Sequence, residues 1–401
     1  MIDWYKQYSQ DDIELVKAYL RDRYKEKQVH PQISIVYDLL HLCRLHCKGC
    51  GTNAIMCLDV APKECGSSLR EIEGVLLKIK EYVDLRGIPV FINFGGGEPF
   101  LREDIIDVLE LAASIFSEQS VGIDTSGTLD NSCELLNKAS NFCSYIGISI
   151  NGLADYSQWW AGNNRINVFD RQIRLLQNLE LLHNDELANK IEVTSVATKR
   201  NLGELPLLME VLKKAGVKKY SVHRSIPVGR MKEIADIVPS AKDYFELLIQ
   251  LIKKSREFDI ACHLHHSIES IHTTLLLGYD TYKSDRIGNP DISSSIGIEP
   301  GGEIVYDPWC TTDYWKALSA GNIIKSDLTL YEMIHADNSF FERAKRVINC
   351  ETRCDGCQYP CSGGSRIVAA VEHLNQLNYP EAKIDDLIHA MCSKDPGCPI
   401  G

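Results

Sequence analysis

The chain of 401 residues has no apolar run long enough to cross a bilayer. Its opening, MIDWYKQYSQDD, lacks the basic-then-apolar order of a secretory signal. No membrane partner is expected, and a cytoplasmic location is. Positive charge is also in short supply. The net charge is −12 and the basic residues are scattered, so no nucleic-acid partner is expected either. The acidic balance reads first as a solvated surface and second as an attraction for a basic partner or peptide. No short-period repeat and no low-complexity tract breaks the sequence, which removes solenoid architectures. What remains is ordinary for a globular protein, with 44% hydrophobic and 24% charged residues.

Cysteine is not scarce: there are 15. Disulfides are disfavoured in a reducing compartment, so clustered thiols there point to metal or redox chemistry. Three stand together as Cys43-x3-Cys47-x2-Cys50, with no fourth in register. An iron–sulfur cluster that only carries electrons normally has four cysteine ligands. Three ligands leave one iron of a cubane open to a small molecule. The competing reading is a zinc site, with Cys57 or Cys65 as fourth ligand. Cys133 and Cys143 read as small core residues.

The rest of the chain alternates. A charged amphipathic helix is expected over 10–27 and a strand over 32–39, delivering the chain into the cysteine loop. Ser68 and Glu71 form a capping box that opens a helix ended by Gly87. Strands are expected over 88–94, 120–127, 145–151, 191–198 and 217–226. Helices are expected over 102–117, 130–140, about 168–184 and 203–215. Six strand–helix repeats imply parallel βα units, which close into a barrel or stay open as a doubly wound sheet. Residues 241–280 look helical. A Ser-, Gly-, Pro- and Asp-rich stretch at 284–302 marks a boundary, beyond which strand periodicity is slight. The expected division is a helical segment 1–30, a barrel 31–285 and a cysteine-rich domain 286–401.

The strand over 88–94 runs into Gly95-Gly96-Gly97-Glu98-Pro99. Glycine permits close backbone approach, and Glu98 has the charge to pair with an ammonium. A Cys-x3-Cys-x2-Cys loop followed by Gly-Gly-Glu-Pro on the next strand resembles the radical S-adenosylmethionine (radical SAM) family. The resemblance implies an α/β fold, a partial (βα)6 barrel with its site at the C-terminal ends of the strands. It implies a [4Fe–4S] cluster on Cys43, Cys47 and Cys50, and SAM held near Gly96, Gly97, Glu98, Pro99, Ser126 and Ser149, the last reading equally as a strand-end turn. Arg230, in Pro227-Val-Gly-Arg, reads as a contact to SAM or substrate, or as a loop anchor. Thr198-Lys-Arg-Asn201 matches a further family segment. The implied chemistry is reductive cleavage of SAM to a 5′-deoxyadenosyl radical that abstracts a hydrogen atom.

The C-terminal part resembles the SPASM/twitch-like extension, which carries auxiliary clusters. The matching segments are Gly301–Cys310, Gly321-Asn322-Ile323 and Cys354-x2-Cys357-x3-Cys361. Two departures stand out: no cysteine lies between Cys262 and Cys310, and Ser365 replaces an expected cysteine. Seven cysteines lie beyond residue 300, one short of the eight that two closed cubanes need. At least one auxiliary [4Fe–4S] cluster is expected on Cys354, Cys357, Cys361 and either Cys392 or Cys398, with Cys310 and Cys350 as an alternative set. Asp307 and Cys310 are the candidate catalytic residues; Cys310 or Cys262 would serve as hydrogen-atom donor. His263, His265, His266 and His272 read as a helix face with one or two packed imidazoles rather than a metal site.

The function this implies is modification of a ribosomally made peptide or protein side chain by crosslink, thioether, epimerisation or oxidation. The alternatives are a sugar or aminocyclitol dehydrogenase or epimerase, and a non-catalytic iron–sulfur or zinc protein. The first expected strand opens at residue 32, too early for a preceding leader-recognition domain. An electron donor such as flavodoxin or ferredoxin is the expected partner, beside the peptide or small-molecule substrate.

Overall fold

The computed structural model describes residues 3–27, 32–56, 66–279, 295–305, 308, 319–336 and 398–400. Helix α1 (Gln10–Lys27) occupies the span its charge pattern predicts. In β1 (Ile33–Leu40), Ile33, Ile35, Tyr37 and Leu39 are buried while Ser34, Val36 and Asp38 keep some surface. This is the period-2 alternation of a strand with two unlike faces. Two short parallel strands, β2 (Leu42–Cys43) and β3 (Ile55–Met56), frame the cysteine loop as a separate ladder. Helix α2 (Leu69–Arg86) opens on the Ser68/Glu71 capping box and ends at Gly87, whose φ is 62°.

The alternation continues through β4 (Val90–Gly96), α3 (Ile105–Phe116), β5 (Val121–Thr125) and α4 (Ser132–Ala139). It goes on through β6 (Tyr145–Ser149), α5 (Ala154–Ala161), α6 (Val168–Asn178) and α7 (Asp185–Ala188). Then come β7 (Ile191–Ala197), α8 (Leu205–Lys214) and β8 (Lys219–Arg224). Strands β1, β4, β5, β6, β7 and β8 are neighbours in that order, all parallel, as six βα units require. The helices bury single stripes against them. In α3 the buried set is Ile105, Val108, Leu109 and Ala112, at helical spacing. Full burial of such aliphatic side chains contributes about 1.5–3 kcal/mol each.

Several spans differ from expectation. The stretch 241–280 is not continuously helical: α9 (Ala241–Phe258) and α10 (His266–Leu277) flank a strand, β9 (Ala261–Leu264), paired with β8. Four residues are too few for periodicity to declare itself. Beyond the boundary region, β10 (Ser295–Ile298) pairs in parallel with β1. Antiparallel β11 (Glu303–Val305) and β12 (Ser319–Asn322) follow, then α11 (Leu330–Ile334). The C-terminal part is thus stitched into the barrel's own sheet. The full order is β12-β11-β10-β1-β4-β5-β6-β7-β8-β9, ten strands with two ends.

The sheet is curved. His223 on β8 acts electrostatically on Asp124 on β5, three strands away. In a flat sheet that gap is roughly 14 Å. The convex face carries the main core, including Ile35, Ile92, Ile123, Ile146, Val193 and Val222. Across the β9 end, α1 packs on α9 and α10. Buried Glu269 on α10 takes the Tyr19 hydroxyl and the Leu264 amide at 3.1 Å, with Arg23 Nε at 3.5 Å. Ahead of α1, the Tyr5 hydroxyl meets His272 Nδ1 at 2.7 Å inside an aromatic cluster with Trp4 and Phe245.

Candidate active site at the C-terminal ends of the strands

Every motif singled out from the barrel sequence emerges at the C-terminal end of a parallel strand. The cysteine loop follows β1. Cys43 is buried and its Sγ accepts the Leu45 amide at 3.3 Å. Cys50 Sγ accepts the Ala54 amide at 3.4 Å and lies 3.4 Å from Thr52 Oγ1. Amide donors aimed at sulfur favour the thiolate and tune any metal on it. Burial pushes the Cys43 thiol up to about 12 and Cys47 well above its usual range; Cys50 and Cys43 add to the effect at Cys47. Such thiols ionise when a metal takes the proton's place.

The three sulfurs sense one another, yet no three His, Cys, Asp or Glu side chains among the described residues converge on a single ion. Zinc would require convergence at about 2.3 Å per sulfur. A cubane takes one cysteine per iron and spreads its ligands. The donor set, three thiolates on one loop, is the one a cubane takes with one cysteine per iron. Cys57 and Cys65 lie outside the described residues.

Two distant segments clamp this loop. Arg230, 9% exposed, donates from Nε to the Cys47 carbonyl at 2.8 Å and from Nη1 to the Ala54 carbonyl at 2.7 Å. Its own amide reaches the Cys50 carbonyl at 3.1 Å. Of the roles expected for Arg230, the loop anchor is the one these bonds display. On the other side, α5 ends against the loop: His46 and Lys48 amides donate to the Ala161 and Trp160 carbonyls at 2.9 and 2.8 Å. A Cβ on Gly49 would sit 2.2 Å from the Trp160 ring. No helix was expected over 154–161, and no local signal marks its partner more than 100 residues away.

The glycine turn serves the chain itself. A Cβ on Gly97 would lie 1.9 Å from the Leu42 carbonyl oxygen, and Gly96 has φ of 113°. The Gly97 and Glu98 amides donate to the Leu40 and Leu42 carbonyls at 2.7 and 2.8 Å, locking the turn onto the start of the cysteine loop. Glu98 is 1% exposed. Its carboxylate accepts from Thr125 Oγ1 at 2.7 Å, the Phe100 amide at 3.3 Å, the Ser126 amide at 2.9 Å and the Ser126 hydroxyl. Burial raises its pKa and these four bonds oppose the rise. Glu98 thus braces the β4 and β5 loops against each other, with no cation beside it among these partners. An added ammonium is the complement such a buried carboxylate fits. Pro99 is buried at the head of a short 3-10 turn.

Ser149 ends β6, its hydroxyl 3.4 Å from Thr194 Oγ1. Gln172 on α6 went unnoticed in the sequence. It is buried, and its amide Nε2 donates to the Ser126 carbonyl at 2.9 Å and the Ser149 carbonyl at 2.7 Å, tying the loops after β5 and β6 together. Asn151 and Asn201 are struts: Asn151 Oδ1 takes the Val196 amide at 2.8 Å, and Asn201 Nδ2 bonds the Asn151 carbonyl at 2.7 Å.

Asp307, Cys310, Cys350, Cys354, Cys357, Cys361 and Cys392 lie outside the described residues. Cys398 is close enough to Tyr5 to act on its hydroxyl electrostatically. Cys262 belongs to the main core. Of the histidines, His272 is fully buried, a packed imidazole of the kind expected, and His265 caps α10.

A model of the radical SAM superfamily matches residues 38–183, which includes the cysteine loop, the glycine turn, Ser126 and Ser149. The mycofactocin maturase MftC of Mycobacterium tuberculosis is 23% identical over 345 residues, covering 84% of this chain and 79% of that protein. Streptococcus suis SuiB, solved with its precursor peptide SuiA, aligns at a TM-score of 0.63 and 17% identity over 92% of this chain and 79% of SuiB. Native anSMEcpe with bound AdoMet and Cp18Cys peptide aligns at a TM-score of 0.59 and 17% identity, over 84% of this chain and 89% of that one. These structural likenesses are of fold, and the SuiB match reaches past the barrel into the part that resembles a SPASM extension. Motifs, strand order, loop geometry and family match agree: the chain belongs to the radical SAM superfamily and is a radical SAM enzyme.

Proposed function

We propose that this enzyme modifies a side chain of a ribosomally made peptide or protein. The observation that carries the reading is the similarity to MftC, a maturase by name, over 84% of the chain. The solved fold relatives that hold peptides, SuiB with SuiA and anSMEcpe with Cp18Cys, support it. When bound, the cluster and SAM supply a 5′-deoxyadenosyl radical able to take hydrogen from an unactivated C–H bond. Cys43, Cys47 and Cys50 would hold three irons of the cluster. Arg230 and α5 fix the loop that carries them. Gly96, Gly97, Glu98 and Pro99 shape the turn beside it, with Glu98 offering negative charge to the SAM ammonium. Ser126 and Ser149 stand at the mouth of β5 and β6, positioned by Gln172.

An auxiliary [4Fe–4S] cluster on Cys354, Cys357, Cys361 and Cys392 or Cys398, catalytic roles for Asp307 and Cys310, and a flavodoxin- or ferredoxin-type electron donor complete the proposal. The test is coexpression with each short peptide encoded beside the gene, followed by mass spectrometry. A peptide mass change that needs Cys43, Cys47 and Cys50 is expected. No mass change in any such peptide, with turnover of a sugar instead, would overturn it.

A further inference from the structure

The concave face of the sheet carries a cluster of polar groups beside Val36 and Phe91, and the site described above makes no use of it. Asp38, Asn93, Asp124, Tyr145, Glu192 and His223 all leave their strands on the side opposite the apolar core. Glycines make room among them. A Cβ on Gly147 would lie 1.9 Å from Asp124 Oδ1, one on Gly122 2.9 Å from Asn93 Oδ1, and one on Gly95 3.3 Å from Asp38 Oδ1. Asp38, Asp124 and His223 are enclosed on every side, yet each retains accessible surface. That combination describes groups facing an internal space.

The chamber is unbalanced. Asp124 accepts from Asn93 Nδ2 at 2.5 Å and from the Tyr145 hydroxyl at 3.2 Å. Asp38 has no hydrogen-bond donor and no cation beside it among the described residues; the charges acting on it, Glu299 and Asp124, both repel. Asn93 Oδ1 is buried without a partner. His223 acts on Asp124 rather than on Asp38, and burial lowers its pKa against the pull of Asp124 and Glu192. An enclosed, unpaired carboxylate is costly unless a proton or a cation neutralises it. A metal ion is a poor candidate, because no three suitable ligands converge among the described residues. An organic cation bonds such a set without a coordination sphere.

The chamber also lies just beneath the site. Asp38 stands five residues before Cys43, and Asp124 two before Ser126. A cation held there on a long aliphatic stem would place its C–H bonds at the mouth, among the SAM-site loops. We propose that the concave chamber receives the ammonium or guanidinium end of a basic side chain of the substrate, with Asp38 as its direct partner and Asp124 as the second carboxylate. That the cation belongs to a peptide rests on the function proposed above; the cation site itself does not.

Asp38 is faced by Glu299 after β10 and by Asp124 on β5, with Tyr145 on β6, Glu192 on β7 and His223 on β8 around Asp124. Burial and these like charges push the Asp38 carboxyl up to about 7. Binding a cation therefore releases a proton near neutral pH. The experiment is calorimetric titration of the reconstituted holoenzyme with SAM, using Gly-Lys-Gly, Gly-norleucine-Gly and n-butylammonium as probes. The lysine peptide should bind at least about tenfold more tightly than the norleucine peptide. Its heat should vary with the ionisation enthalpy of the buffer. Asp38→Asn should erase both the preference and the proton release. Should that variant fail to fold by circular dichroism, Asp124→Asn carries the same comparison. Equal affinity for the lysine and norleucine peptides, or a preference unmoved in both variants, would overturn the proposal. Asp38-dependent binding of n-butylammonium, with no gene-neighbour peptide modified, would keep the cation chamber and sink the peptide reading.

Discussion

Arg230 offers the sharpest test of how this fold holds its cysteine loop. Its side chain makes two buried bonds to loop carbonyls, at 2.8 Å to Cys47 and 2.7 Å to Ala54. Hydrogen bonds from a charged donor contribute about 1.5–3 kcal/mol each. Arg230→Ala removes both and leaves the carbonyls without a partner, a loss of about 3–6 kcal/mol for the closed loop. At about 1.4 kcal/mol per tenfold, the open-loop population rises roughly 10²- to 10⁴-fold. The assay is loss of iron to an excess of chelator from the reconstituted protein under strict anaerobiosis. Arg230→Ala should lose iron much faster than wild type, with Arg230→Lys between them, since an ammonium lacks the fork that reaches both carbonyls. The guanidinium also favours ionised Cys43 and Cys47. Removing its charge should lower the cluster's reduction potential, whereas the lysine variant should stay near wild type. Wild-type iron retention and potential in Arg230→Ala would refute the latch.

Glu98→Ala should weaken SAM binding while iron content stays near normal, because the carboxylate ties the β4 and β5 loops without touching the sulfurs; equilibrium dialysis of SAM beside an iron assay checks this, and collapse of iron with SAM affinity intact would reverse the assignment. His272 makes a pH prediction. Burial pushes it down to about 3 in the fold, so the unfolded chain binds a proton first, and stability should fall as pH drops below about 6.5, by up to about 1.4 kcal/mol per pH unit. Denaturant titrations of His272→Asn between pH 4.5 and 7.5 should show a flatter dependence by that amount, and an unchanged slope would count against it. Reconstituted protein should hold about eight irons per chain, two cubanes of four. The Cys43/Cys47/Cys50 triple alanine variant should keep about half, and Cys354→Ala should remove the other half; a count near twelve would show a third cluster.

What the sequence determined alone was local or repetitive. The capping box at Ser68, the Gly87 stop, the six parallel strands and the cysteine loop and glycine turn at strand ends all follow from short-range pattern, because helix caps, pleat alternation and left-handed glycines are decided within a few residues. The tertiary structure decided what those residues touch. Gly97 is forced by the Leu42 carbonyl at the start of the cysteine loop, and Glu98 is saturated by Thr125 and Ser126 from the next loop. Arg230 reaches back to Cys47 over 183 residues, and α5 exists as the far wall of a loop it follows by more than 100. Strand β9 had no pattern of its own and formed because β8 offered an edge. Above all, Asp38, Asp124 and His223 sit in separate strands with nothing in the chain to relate them. Strand order sets Asp38 near Asp124 and curvature of the sheet brings His223 to Asp124, since the sequence sets which face a side chain takes while long-range packing sets what stands opposite.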